Sequence, residues 1–225
     1  MRKLIVFLIL LGVLLAVLDR VAVAGVESEV ARQVAAQYDL ARPPAVKVKG
    51  IPFLTQAVAG RYEEVTVSIG KMTLPDGAQI SRIDAVLHGV RAPLMDLIQN
   101  TAAASVTADK VTGTVVIARQ TLDARAPRGL RVSGNGDDSL QVTGKITVAG
   151  IVIPVTAKMK IEVVQGGVRL TPENVNGIQV PNATRLLSFT VPIKNLPLNL
   201  KIEKVRSTPE GLAVEGTATD VPLRG

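Results

Sequence analysis

The sequence predicts an α+β, β-rich fold: a long, curved antiparallel sheet accompanied by two or three short helices. Three observations carry that reading. From residue 151 to 163 every second side chain is apolar (Ile151, Ile153, Val155, Ala157, Met159, Ile161, Val163), with Thr156, Lys158, Lys160 and Glu162 between them. Period two puts one set on an apolar face and the other in water. Thirteen residues at roughly 3.3 Å each make about 43 Å of strand, which suits an elongated sheet better than a small closed barrel. Shorter alternating runs also recur along the chain between Gly, Pro and Asn turn signals. Finally, the chain is 47% hydrophobic but only 2% aromatic, without Trp. Its apolar content is therefore Val, Leu, Ile and Ala, and the β-branched share favours pleated surfaces. In 225 residues this supplies one sizeable core or two small ones.

The first element is helical. Arg2 and Lys3 precede fifteen consecutive apolar or glycine residues, 4–18. As a helix this run is about 22 Å long, short of a bilayer's roughly 30 Å hydrocarbon core. Asp19 and Arg20 interrupt it, and Ala22-Val23-Ala24 offers a small-x-small cleavage site before Gly25. This is the anatomy of a secretory signal. Residues 1–24 are read as a signal peptide or an uncleaved membrane anchor, and 25–225 as a single exported domain. In the anchor reading the helix runs on through residues 26–38, where Val26, Val30 and Val34 recur at i, i+4, i+8.

Pro43-Pro44 stops the helix. Val46 and Val48 alternate into a short strand ending at Gly50, and a helical turn follows around residues 53–56. Val65, Val67 and Ile69 form a strand closed by Pro75-Asp76-Gly77. Residues 80–90 are the next strand, and Pro93 opens a predicted helix through Gln99. Val111, Val115 and Ile117 mark a strand, residues 120–125 a short helix, and 134–138 a turn. Residues 140–148 and 151–164 read as a hairpin around Ala149-Gly150, with a second hairpin around 165–167. Leu196, Leu198, Leu200 and Ile202 alternate until Val205 breaks phase, which predicts a bulge. Leu212 and Val214 start the last strand.

Composition excludes several chemistries. With no Cys, disulfides and thiol catalysis are out. His88, the only histidine, lies in a strand pattern beside Asp84, and no Gly-x-Ser-x-Gly elbow accompanies it, so a Ser–His–Asp hydrolase finds no support. One His without Cys makes no structural zinc site. Residues 134–138 lack the Asp spacing and closing Glu of a calcium loop, and no Gly-rich phosphate loop opens a helix. Neither a metal nor a cofactor is expected. Formal charge is +7; losing residues 1–24, which hold three basic and one acidic residue, leaves +5. A moderately basic exported protein is drawn to anionic membrane surfaces. No basic cluster interleaved with aromatics points to nucleic acid.

The remaining candidates concern apolar cargo. Phe53 and Leu54 either sit at the mouth of an apolar groove, with Thr55 and Gln56 on a head group, or belong to a turn whose Phe plugs the core. Ile151, Ile153, Val155, Met159 and Ile161, together with Leu198, Leu200 and Ile202, either line a groove for acyl chains or pack as ordinary sheet core. Each buried CH₂ contributes roughly 0.8 kcal/mol, so one long acyl chain is enough to hold cargo. Lys158, Lys160 and Lys201 on the polar faces either meet phosphate head groups or are solvated lysines guarding strand edges.

Four stretches carry a family resemblance: Leu18-Asp19-Arg20-Val21-Ala22 at the end of the apolar run, the stretch from Val46 through Gly50-Ile51-Pro52-Phe53-Leu54-Thr55-Gln56, Val111-Thr112-Gly113-Thr114-Val115, and a tail with Leu196-Pro197-Leu198 and Gly211-Leu212-Ala213-Val214-Glu215-Gly216. With these the chain resembles the actinobacterial LmeA-like exported phospholipid-binding proteins over nearly its whole length. The resemblance implies a fold like that of tubular lipid-binding modules, a curved antiparallel sheet wrapped around one or two helices with an apolar groove. It also implies binding of phospholipids such as phosphatidylinositol, no catalysis, and a part in envelope mannolipid assembly for some members. The alternative is a non-catalytic β-rich envelope scaffold that assists a membrane glycosyltransferase and carries no cargo. The sequence is silent on oligomeric state.

Overall fold

The structure, a computed structural model, describes residues 2–74, 77–92, 105–127, 129–134, 139–148, 151–176, 187–193 and 200–224. In chain order the elements are α1 (Arg2–Gln37), β1 (Ala45–Lys49), α2 (Phe53–Ala59), β2 (Arg61–Ile69), β3 (Met72–Thr73), β4 (Gln79–Arg91), β5 (Val106–Ala118) and α3 (Arg119–Arg125). They continue with β6 (Leu130–Gly134), β7 (Ser139–Val148), β8 (Ile151–Val164), β9 (Gly167–Val175), β10 (Phe189–Pro192), β11 (Lys201–Thr208) and β12 (Gly211–Arg224). The fold is β-rich α+β, as the alternation predicts. One sheet has the order β1-β2-β4-β5-β12-β11, with β3 on β4; the other runs β10-β9-β8-β7-β6.

The expected strands are present. The 151–163 pattern is β8, and Val148 pairs with Ile151 to make the β7–β8 hairpin. The bulge expected near Val205 falls between Ile202 and Lys204, against β12. The two short strands β6 and β10 had no distinct signal, because four or five residues show too little periodicity. The helix expected at 93–99, turn residues 75–76 and 135–138, and the 196–198 alternation lie outside the described residues.

The chain forms two compact units: residues 1–69, 84–112 and 218–225, and residues 70–83 and 113–217. In the first, α1 is one continuous helix from Arg2 to Gln37. Of the expected Val26, Val30, Val34 stripe, Val30 and Val34 are half-buried, but the fully buried side lies elsewhere. Val26 is exposed, whereas Asp19, Val23 and Ala31 are buried, and Glu27 reaches β1. Glu27 accepts the Val48 N–H at 2.9 Å and pairs with Lys47 at 2.9 Å. Positions 19, 23, 27 and 31 lie four apart on one helix face.

The second unit has a continuous apolar core. Leu140 and Val142 of β7, Val155, Ala157 and Met159 of β8, and Val168 and Leu170 of β9 meet Leu122 of α3, with Val132, Leu187, Val191, Leu212 and Val214 around them. Polar side chains fix the short helix on the sheet. The Thr121 hydroxyl accepts the Gln79 N–H at 2.7 Å and donates to the Gln79 carbonyl at 3.0 Å. Asp123 accepts the Val132 N–H at 2.6 Å.

Candidate functional site

The sequence candidates separate into core and surface. On β8, Val155 and Met159 lie fully inside, Met159 with no exposed area at all. Ile161 is half-buried and packs on the same core, as does Ile202 of β11. Ile153 is 38% exposed and its neighbour Val152 59%. Ile151 pairs with Val148 at the hairpin end, Leu200 is half-buried just before β11, and Leu198 lies outside the described residues.

The geometry of the sheet explains this division. β9 pairs with β8 only from Ala157 onward, whereas β7 pairs along β8 from Ile151. Where β9 ends, Asn176 closes the edge. Its backbone adopts φ 53°, its Oδ1 accepts the Thr156 N–H at 2.9 Å, and its Nδ2 donates to the Pro154 carbonyl at 3.2 Å. Among the described residues, the tip of the β7–β8 hairpin therefore extends past the three-stranded pairing. There Ile146 faces Ile153 and Thr147 faces Val152; Ile153 stands partly exposed on the face that is core farther along β8, and Val152 is exposed on the opposite face.

The candidate head-group lysines are all exposed. Lys158 lies 3.8 Å from Glu173 and Lys160 3.1 Å from Glu162, whereas Lys201 opens β11 opposite Thr217. A separate cleft of about 670 Å³ opens in the second unit, with Lys71, Arg82, Arg119 and Glu210 on its wall beside Met72 and Ile80. Three cations, one carboxylate and an apolar patch suit an anionic amphiphile. No group of three or more His, Asp or Glu residues is placed to hold a metal among the described residues.

The stretch from Gly50 to Gln56 forms a tight junction with α1. Phe53 is buried against Val23 and Ala57, its ring 6.0 Å from that of Tyr62. Burial pushes the Tyr62 phenol above its ordinary value. The Thr55 hydroxyl donates back to the Pro52 carbonyl at 2.9 Å. The Gln56 amide donates to the Lys49 carbonyl at 3.3 Å and accepts the Glu63 N–H at 2.9 Å, tying the end of β1 to the start of β2. Gly50, at φ 104°, makes room for that amide, because a Cβ there would collide with it. Pro52 leaves α2 without a side-chain cap of its own. The cap comes instead from α1: Asp19 Oδ1 accepts the Leu54 N–H at 2.8 Å, while Arg20 pairs with the same carboxylate. Sequence pattern shows Asp19 only as a break in the apolar run, because a cap supplied from a distant residue leaves no local spacing to detect.

His88 is exposed, with Nδ1 3.8 Å from Glu64. The Lys49 ammonium, hydrogen-bonded to Glu64 at 2.5 Å, holds that carboxyl below its ordinary range against a smaller opposing effect of burial.

Ahead of Asp19, every side chain from 4 to 18 is exposed, and the helix reaches a mean hydropathy of 2.7 over eighteen residues. A bare apolar helix and exposed aliphatic side chains at a strand end are surfaces of the kind that meet lipid, a ligand or another protein. A family model described as LmeA-like phospholipid-binding matches residues 17–217, and the chain belongs to that family. The matched region begins just before Asp19 and so takes in the junction of α1 with α2. Among curated proteins and among solved structures there is no match.

Proposed function

We propose that this protein is an exported phospholipid carrier of the cell envelope that works without catalysis and stays tethered to the outer face of the plasma membrane by residues 4–18. Arg2 and Lys3 before the apolar run suit retention of the N-terminus on the cytoplasmic side. Residues 25–225 then act as the lipid-binding domain. Acyl chains lie against the apolar side chains at the open end of β8, with Lys158, Lys160 or Lys201 near the phosphate. Phosphatidylinositol is one candidate cargo, and support of mannolipid or other envelope lipid assembly is the corresponding role.

The observation that carries this reading is the exposure of Ile153, at the end of a β8 face whose Val155, Ala157 and Met159 are closed core, in a member of a phospholipid-binding family. The buried centre of β8 supports acyl contact at the strand's end and not along its whole length. The test is direct. The full chain is purified and extracted with organic solvent, the extract is weighed by mass spectrometry, and transfer of labelled phospholipid between liposomes is followed. Recovered phospholipid and protein-dependent transfer support the carrier. A chain that yields no phospholipid and transfers none leaves the scaffold reading, in which the domain assists a membrane glycosyltransferase without cargo.

A further inference from the structure

We infer that α2 is a second membrane contact, an apolar foot held beside the anchor at the level where α1 leaves the bilayer. This rests on the proposal that residues 4–18 remain attached and enter the membrane.

The anchor is short. Its uninterrupted apolar run covers about 22 Å of a roughly 30 Å hydrocarbon core, so the bilayer must thin or gain apolar contact near the end of the run. Beyond Asp19 and Arg20, α1 still presents Val21, 66% exposed. Arg20 is long enough to reach the head-group region, and the Asp19 carboxylate is engaged by Arg20 and the Leu54 N–H. The same hydrogen bond sets the position of α2: its first turn lies at the level of Asp19, the first charged residue after Lys3.

At that level the chain exposes three aliphatic side chains close together in sequence. Ile51 is 84% exposed, Leu54 39% and Val58 86%. Leu54 and Val58, at i and i+4, lie on one side of the helix, while Phe53 and Ala57 occupy the buried side; Ile51 precedes the helix. The segment is thus amphipathic across the axis: one side closes the small core with Val23, the other is bare and apolar. Continuity with the anchor and the pinned depth select the occupant, the interfacial zone of a bilayer.

The chain has no native Cys, so single labels are clean. Full-length Ile51→Cys, Leu54→Cys and Val58→Cys chains carry an environment-sensitive fluorophore in vesicles of phosphatidylethanolamine and phosphatidylglycerol. Ala36→Cys, exposed on α1 and about 25 Å along the helix from Asp19, is the control. Quenching by a lipid with a shallow nitroxide is expected to be at least threefold stronger at positions 54 and 58 than at 36, with blue-shifted emission. Asp19→Ala in the Val58→Cys chain is expected to cut that quenching by at least half while the chain stays vesicle-bound. Equal, water-like signals at 51, 54, 58 and 36 overturn the inference, and so does a mature chain whose mass lacks residues 1–24. Phospholipid extraction from the same preparations reports separately on the carrier. Cargo without quenching removes the foot alone, and quenching without cargo removes the carrier and keeps the foot.

Discussion

Replacing Ile153 by Asp distinguishes a lipid-facing residue from a core one. Ile153 is 38% exposed, so a carboxylate at this position reaches water without crossing the core. Only part of the roughly 1.5–3 kcal/mol gained by fully burying an isoleucine is at stake, on the order of 1–2 kcal/mol. Met159 makes the comparison. It has no exposed area, and trimming such a side chain to Ala costs roughly 2–5 kcal/mol, including the cavity left behind. At about 2–4 °C per kcal/mol for a chain of this size, Ile153→Asp lowers Tm by roughly 2–8 °C and Met159→Ala by roughly 4–20 °C. Both chains are purified full length. Melting is followed by circular dichroism, and co-purifying phospholipid is measured by mass spectrometry. The expected result is a split: Ile153→Asp loses most of its phospholipid and little stability, whereas Met159→Ala loses stability but keeps its phospholipid per folded molecule. An Ile153→Asp chain with its full phospholipid load refutes acyl contact at the end of β8. One that melts below Met159→Ala refutes the placement of Ile153 at an open end.

Thr121→Val keeps the side-chain shape but strips the Gln79 backbone of both partners, so the second unit should lose about 1–3 kcal/mol, read as a lower urea midpoint. Gly50→Ala forces a side chain onto a left-handed backbone and displaces the Gln56 amide. A loss on the order of 1–2 kcal/mol is expected from the backbone alone, and the added penalty should shrink in a Gly50→Ala, Gln56→Ala double variant. Glu64 sets a pH dependence. Its folded-state pKa lies below the unfolded value because the Lys49 ammonium hydrogen-bonds the carboxylate. Its stabilisation is therefore full above the unfolded carboxyl pKa and lost as pH falls through the folded one. Glu64→Gln should flatten the acid limb of Tm against pH and leave the profile above about pH 6 unchanged in slope; an unaltered acid limb contradicts the Lys49 pairing.

The long strands were legible because strict alternation over more than ten residues matches the two-residue period of a strand and runs against the 3.6-residue period of a helix. Accordingly, β8 begins and ends where its pattern does. The same alternation does not say what lies against the apolar face. Ile153 and Met159 occupy equivalent positions in the period, yet one is exposed and the other sealed. The difference is made by β9, which stops pairing at Ala157, and by Asn176, which closes the edge. Those partners are eighteen or more residues away in sequence, beyond the reach of a local pattern. The Gly50–Gln56 stretch shows the opposite limit. Its composition marked it as special, but its roles came from distant groups: Asp19 on the Leu54 N–H and Glu63 on the Gln56 amide. In α1, periodicity suggested a Val26, Val30, Val34 face, whereas contacts to β1 and α2 select the face of Asp19, Val23, Glu27 and Ala31, two members of which are charged.

Photocrosslinking maps the cargo onto the chain most directly. A phospholipid with a diazirine in its acyl chain is loaded onto the full-length protein and activated, and the adducts are located by peptide mass spectrometry. Adducts at Ile153 are the predicted outcome, with Val155 and Met159 unlabelled. Labelling confined to residues 4–18, with the β7–β8 hairpin untouched, contradicts a carrier that shelters lipid at the end of β8.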